Sequence, residues 1–118
     1  MIKRVIQFFV CLAIAFSFVV SASAQGSSGT KVVYHIDDAE SQGIKGLRNI
    51  RNHLDTAPNT TIIVVTHANG VDMLMEGAKD KKNNIEYAPL VSALKSRGVK
   101  FEVCEITLKN RHLKKDQF

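Results

Sequence analysis

Cys104 stands where an alternating stretch, Val99-Lys-Phe101-Glu-Val103, gives way to a helically spaced one through Ile106, Thr107 and Leu108. A thiol at the first turn of a helix lies in the field of unpaired backbone N–H groups, which favours the thiolate. The thiolate is the reactive form. It attacks sulfane sulfur best when its pKa lies near ambient pH. The chain has two cysteines, Cys11 and Cys104. Cys11 falls in a leader predicted to be removed, so Cys104 is the lone mature thiol and forms no internal disulfide. A solitary cysteine in an exported chain points to a reactive thiol or an intermolecular link. The plainer alternative is an inert thiol packed as a small hydrophobe.

Other chemistry-bearing residues fall at the ends of predicted strands. Lys31–Ile36 (KVVYHI) reads as a first strand and Thr61–Thr66 (TIIVVT) as a second, with Val99–Val103 as a third. In an open parallel sheet, ligands bind beyond the carboxyl ends of the strands. That edge would gather His35 and Asp37 after the first strand, His67, Asn69 and Gly70 after the second, and Cys104 with Glu105 after the third. A His67 imidazolium would lower the thiol pKa further. The plainer readings are a loop-bonding His67, a core or interface His35, helix-capping acids in Asp37 and Asp38, and a glycine needed for positive φ or close approach at position 70. His53 and His112 read as surface residues. His35, His67 and Cys104 lack a specific metal-ligand spacing, so no metal is expected. No Gly-rich phosphate loop, Ser-His-Asp pattern or Cys-x-x-Cys occurs, and no cofactor is expected.

The intervening segments supply the helices. Ile44, Leu47, Ile50 and Leu54 recur at helical intervals, behind Asp37 and Glu40 at capping-box spacing. Gly43 and Gly46 weaken that helix by about 1 kcal/mol each relative to alanine, which points to close backbone approach. Val71–Glu76 reads as a short helix, and 79–84 (KDKKNN) as an exposed loop. Pro89 suits a first helical turn, with Leu90, Val91 and Leu94 apolar and Gly98 as the cap. Helix is then expected from Cys104 to about Leu113. The continuous β-branched run TIIVVT is the pattern of a strand buried on both faces of a parallel sheet. Strands alternating with helices give an α/β class, with three strands in a thin sheet. A fourth strand is expected from a neighbouring chain or from further sequence.

Residues 1–24 read as an export signal: Lys3 and Arg4, an apolar run over Val5–Val20, and Ala22-Ser23-Ala24 before the cleavage point. The run is short for a membrane span, so no stable membrane insertion is expected after cleavage, and the location is periplasmic or secreted. Residues 25–30 form a flexible leader and 31–118 one small domain. The formal charge is +5, of which the signal carries two. Nothing interleaves aromatics with a basic stripe, so nucleic acid is not an expected partner. Lys109, Arg111, Lys114 and Lys115 cluster near the end, as a solvated helix face or as a rim that attracts anions.

Four stretches carry a family resemblance: Tyr34-His-Ile-Asp-Asp38, Leu47-Arg-Asn-Ile-Arg-Asn-His-Leu54, Val64-Val-Thr-His-Ala-Asn-Gly-Val71 and Gly98-Val-Lys-Phe-Glu-Val-Cys-Glu-Ile-Thr-Leu-Lys109. Together they resemble the DsrE/DsrF-like (YchN-like) sulfur-relay family over Lys31–Leu113. The most specific element is Val-Cys-x-x-x-Leu-Lys-x-Arg following Arg97-Gly98-Val99. The resemblance implies a Rossmann-like three-layer α/β sandwich, short of the family's last strand and helix. It implies a homotrimer or homohexamer, with sulfur donor and acceptor proteins as partners. It also implies a persulfide carried on Cys104. A non-catalytic oligomeric binding or scaffold protein of the same fold is the alternative.

Overall fold

A computed structural model describes residues 29–118. The predicted export signal and most of the leader lie outside the described residues. The chain runs β1 (Lys31–Asp38), a π-helical turn (Ala39–Gly43), α1 (Ile44–Thr56), β2 (Thr61–Asn69) and a 3-10 turn (Gly70–Leu74). A small hairpin of β3 (Lys79–Asp80) and β4 (Ile85–Glu86) follows, then α2 (Tyr87–Ser96), β5 (Lys100–Val103), α3 (Glu105–Asn110) and a last 3-10 turn (Lys115–Gln117). The main sheet is parallel in the order β1-β2-β5, with Val33 opposite Ile63 and Val65 opposite Glu102. The small parallel sheet and α/β class are as predicted. Among the described residues, no helix is long and apolar enough to cross a membrane.

One face of this sheet is sealed. Ile36, Ile62 and Val64 pack with Leu47, Ile50 and Leu54 of α1 and Leu94 of α2 in a single buried cluster. Each such side chain contributes about 1.5–3 kcal/mol by leaving water. Tyr87 fills the middle of it at 1 % exposure. Its hydroxyl donates to the Ala39 carbonyl at 3.0 Å, tying α2 to the π-helical turn. Burial, reinforced by the nearby Asp80, Glu40 and Asp38 charges, pushes the Tyr87 pKa up to about 12, so the phenol stays a donor at neutral pH. The close approaches expected of two glycines are present. A Cβ at Gly43 would stand 2.8 Å from the Tyr87 ring, and one at Gly46 would stand 3.0 Å from Ile36.

The opposite face is different. Strand residues alternate between faces, and there Val33 is 54 % exposed, His35 is exposed, and Ile63, Val65 and His67 are half-buried. The expectation of burial on both faces of β2 therefore holds for one face. The β-branched run reports strand preference on both sides, but the described residues supply a complete cover for one side only.

Of the two acids expected to cap the helix, Asp38 does so: Ser41 donates its N–H at 2.7 Å and its hydroxyl at 2.6 Å to Asp38 Oδ1. These bonds, led by the hydroxyl, hold the Asp38 carboxyl below its ordinary pKa. Local chemistry departs from the sequence reading in three further places. The polar stretch 79–84 is not simply a loop, because buried Asp80 accepts from the Asn83 N–H at 2.7 Å and closes the β3–β4 hairpin. His53 is half-buried, with Nδ1 2.9 Å from the Tyr34 hydroxyl. The last helix stops at Asn110 rather than near Leu113. Gly98 does close α2 as expected, at φ 90° with its N–H on the Lys95 carbonyl.

Replacing Tyr87 with phenylalanine keeps the ring and removes the hydroxyl's bond to the Ala39 carbonyl. The expected cost is about 1–2 kcal/mol of unfolding free energy by chemical denaturation.

Candidate functional site

The parallel register brings the ends of β2 and β5 side by side. Thr66 lies opposite Val103, and the Cys104 N–H donates to the Thr66 carbonyl at 2.9 Å. The Thr66 hydroxyl donates in turn to the Glu102 carbonyl at 3.0 Å. Cys104 is thereby pinned one residue from His67. On the other side, the β1–β2 register shifts between Ile36 and Asp38, so that Asp38 lies opposite Asn69. Gly70 packs directly on the Ile36 backbone, where a Cβ would overlap the carbonyl oxygen. Of the two reasons expected for this glycine, close approach is the one observed.

Cys104 is a half-buried free thiol and the N-cap of α3. Its pKa is lowered. The Thr107 N–H is the largest cause and the Thr107 hydroxyl the next, with a smaller contribution from the Ile106 N–H; partial burial and the Glu105 charge oppose them. No well-formed cap hydrogen bond closes on the side chain, as suits the long, soft contacts of sulfur. α3 has only six residues, so these individual donors, rather than an extended helix dipole, set the thiol's acidity. The imidazoles are not among the groups acting on it.

Thr107 is the residue that the sequence reading did not single out. It is buried, and its Oγ1 accepts the Ala68 N–H at 3.0 Å. A hydroxyl that accepts from Ala68 has its own proton free to point at the sulfur. Ala68 has φ 48°, a left-handed conformation that costs a non-glycine residue about 1–2 kcal/mol. Two contacts hold it there: the Thr107 hydroxyl on its N–H, and Arg111 Nη1 donating to its carbonyl at 2.9 Å. Arg111 Nη2 also lies 2.8 Å from Asp72 Oδ1, a buried oxygen with no other hydrogen-bond partner among the described residues. Arg111 is thus a clamp on the β2 loop rather than part of an open basic rim. Lys109 pairs with Glu105 at 3.2 Å on the exposed side of α3, which contributes little to stability.

The other candidates divide into two groups. His35 and His67 meet edge to face on the open side of the sheet, with ring centres 5.7 Å apart. Asp37 and Asn69 are exposed at the strand ends, and the Asp37 N–H donates to Gln42 Oε1 at 2.9 Å. Among the described residues, no group of three or more His, Cys, Asp or Glu side chains is placed to hold a metal ion. The signal that could have found Thr107 was its spacing: position i+3 from an N-capping thiol is where a backbone N–H and a short hydroxyl both face the cap.

Replacing Thr107 with valine removes the hydroxyl at nearly constant volume. The Cys104 pKa is expected to rise towards its ordinary value of about 8.5. Iodoacetamide alkylation rates plotted against pH should shift to higher pH. Gly70→Ala forces backbone movement against β1 and is expected to cost about 1–3 kcal/mol or more in denaturant titrations.

The DsrE/DsrF-like family model matches residues 12–118. Among solved structures, the chain is similar to MTH1491, a protein of unknown function from Methanobacterium thermoautotrophicum, at 31 % identity and a TM-score of 0.66. The match covers 75 % of each chain. Among curated proteins, none matches. The chain belongs to the DsrE/DsrF-like family, whose members are generally related to sulfur relay.

Proposed function

We propose that this protein is an exported sulfur carrier that holds a persulfide on Cys104 and passes it to a partner. The observation that carries the reading is a half-buried thiol of lowered pKa beside the Thr107 amide and hydroxyl, in a member of a sulfur-relay family. The Cys104 thiolate attacks the terminal sulfur of an organic persulfide donor. A bond forms between Sγ and that sulfur, the donor's S–S bond breaks, and the donor leaves as its thiolate. The Thr107 hydroxyl and the Thr107 and Ile106 N–H groups face the negative charge before transfer. An acceptor thiolate then attacks the outer sulfur and restores the Cys104 thiolate. Neither step changes the net oxidation state.

His67, one residue beyond the carbonyl that fixes Cys104, is the side chain this reading assigns to exchange protons with donor or acceptor. His35, Asp37, Asn69 and Glu105 border the surface such a partner would meet, with Gly70 buried beneath it and holding the β2 loop against β1. Assembly into a homotrimer or homohexamer is favoured by the half-covered sheet face around Val33, Ile63 and Val65, since parallel sheets are almost always covered on both faces. Export to the periplasm is favoured by the pattern of residues 1–24.

Incubation with glutathione persulfide followed by intact-mass measurement is expected to add one sulfur atom to the protein and none to a Cys104→Ser variant. Transfer to a small thiol acceptor should remove it. A protein that stays unmodified across a range of persulfide donors, while its thiol alkylates normally, would abandon the relay and leave an oligomeric scaffold of the same fold.

A further inference from the structure

A second site lies on the outer side of the helical layer, between α1 and α2. It is a groove of about 420 Å³, within the range of small-molecule pockets. Its floor is apolar: Leu47 and Leu94 are buried there, and Ile44 is half-buried. Its mouth keeps two large apolar side chains in water, Ile85 at 40 % and Leu90 at 37 % exposure. Neither is needed by the core, which is already closed by Tyr87 and Leu94.

The rim is cationic. Arg48 and Arg51, one helical turn apart on α1, and Arg97 at the end of α2 all line the groove. Arg97 takes the nearest carboxylate, Asp55, at 2.8 Å. Among the described residues, Arg48 and Arg51 have no acidic partner within ion-pair distance. Three guanidinium groups therefore share one carboxylate at the edge of an apolar trough. A planar guanidinium suits a carboxylate well, since it presents two parallel N–H donors to two oxygens.

We propose that this groove binds an amphiphilic anion, a carboxylate carrying a medium-length alkyl body. The body lies along Leu47, Ile85, Leu90 and Leu94, and the head group meets Arg48 and Arg51. An inorganic anion would leave the trough unused, and a neutral or cationic amphiphile would leave the arginines unanswered or repelled. A second copy presenting the same patch across a two-fold axis would set like charges against each other. The groove is independent of Cys104, so this site stands or falls separately from sulfur transfer.

The test is a titration of the full mature chain with sodium decanoate, followed by backbone amide NMR shifts and by calorimetry, with 1-octanol, octanoate and octylammonium as the charge series. Decanoate is expected to bind with submillimolar affinity and to shift amides in 44–51 and 85–97. Octanoate should bind better than 1-octanol, and octylammonium not at all. An Arg48→Gln, Arg51→Gln double variant should weaken decanoate binding roughly tenfold or more, the loss of charge-assisted hydrogen bonds. A Leu90→Glu variant, altered at an exposed position, should block the tail and weaken decanoate as much. Equal affinity for octanoate and 1-octanol, an unchanged affinity in the double variant, or shifts elsewhere on the chain would overturn the assignment. So would a groove that ignores decanoate at millimolar concentration while Leu90→Glu changes the sedimenting mass, because the groove would then be a contact between copies.

Discussion

The Thr107 hydroxyl is the contact on which the strand-end geometry turns. It accepts the Ala68 N–H and faces the Cys104 sulfur at once. One buried oxygen thereby connects the loop after β2 to the thiol after β5, two segments far apart in sequence that the parallel sheet brings together. The arrangement has a direction. Ala68 donates to Thr107, and Thr107 is left with a proton that only an acceptor can use. In this site the acceptor is the Cys104 sulfur. The strained φ at Ala68 is consistent with this, since the loop is held by its contacts rather than by its own preference. Arg111 adds the second hold, and Asp72 keeps Arg111 in place.

The two faces of the sheet divide the protein's work. The sealed face supplies the cohesion, through Ile36, Ile62, Val64 and the helical residues packed on them. It also fixes register, because slipping a strand by one residue would turn that whole set towards solvent. The open face contributes less to folding and presents Val33, Ile63 and Val65 beside a histidine pair. Apolar area left in water on a parallel sheet is a standing cost that a second surface can relieve. The thiol lies at the edge between these faces, so an assembly formed over the open face would approach Cys104 from the side without crossing the core.

Much of this was legible in the residues themselves. The β-branched run from Thr61, the helical spacing of Ile44 to Leu54, and Pro89 with Gly98 marked their elements correctly, because each reflects a local preference that packing does not override. Cys104 was legible as the end of a strand for the same reason. What could not be read was pairwise geometry. Which of Asp37 and Asp38 caps was settled by β1 running two residues further than its apolar pattern, to Asp38. Asp80 looked like a loop residue because the bonds it accepts from Asn83 are invisible to periodicity. Thr107 looked like any helical residue, since its meaning comes from Ala68 across the sheet. Arg111 looked like part of a basic cluster until Ala68 and Asp72 were seen to engage it.

The placement of charge separates the two sites. At the sheet edge, the cation nearest the β2 loop, Arg111, is engaged by a carbonyl and a carboxylate, and Lys109 by Glu105. Neutral donors, two amides and a hydroxyl, are left to face the sulfur. Such donors favour a thiolate without binding it as an ion pair, the setting that the proposed sulfur transfer would need. On the helical layer the reverse holds: among the described residues Arg48 and Arg51 have no acidic partner, and they border a trough of aliphatic side chains. Full charges of that kind suit retention of an anion rather than turnover. On the two proposals made above, a single small domain would place weak neutral donors where a sulfur comes and goes, and strong cations where a ligand stays.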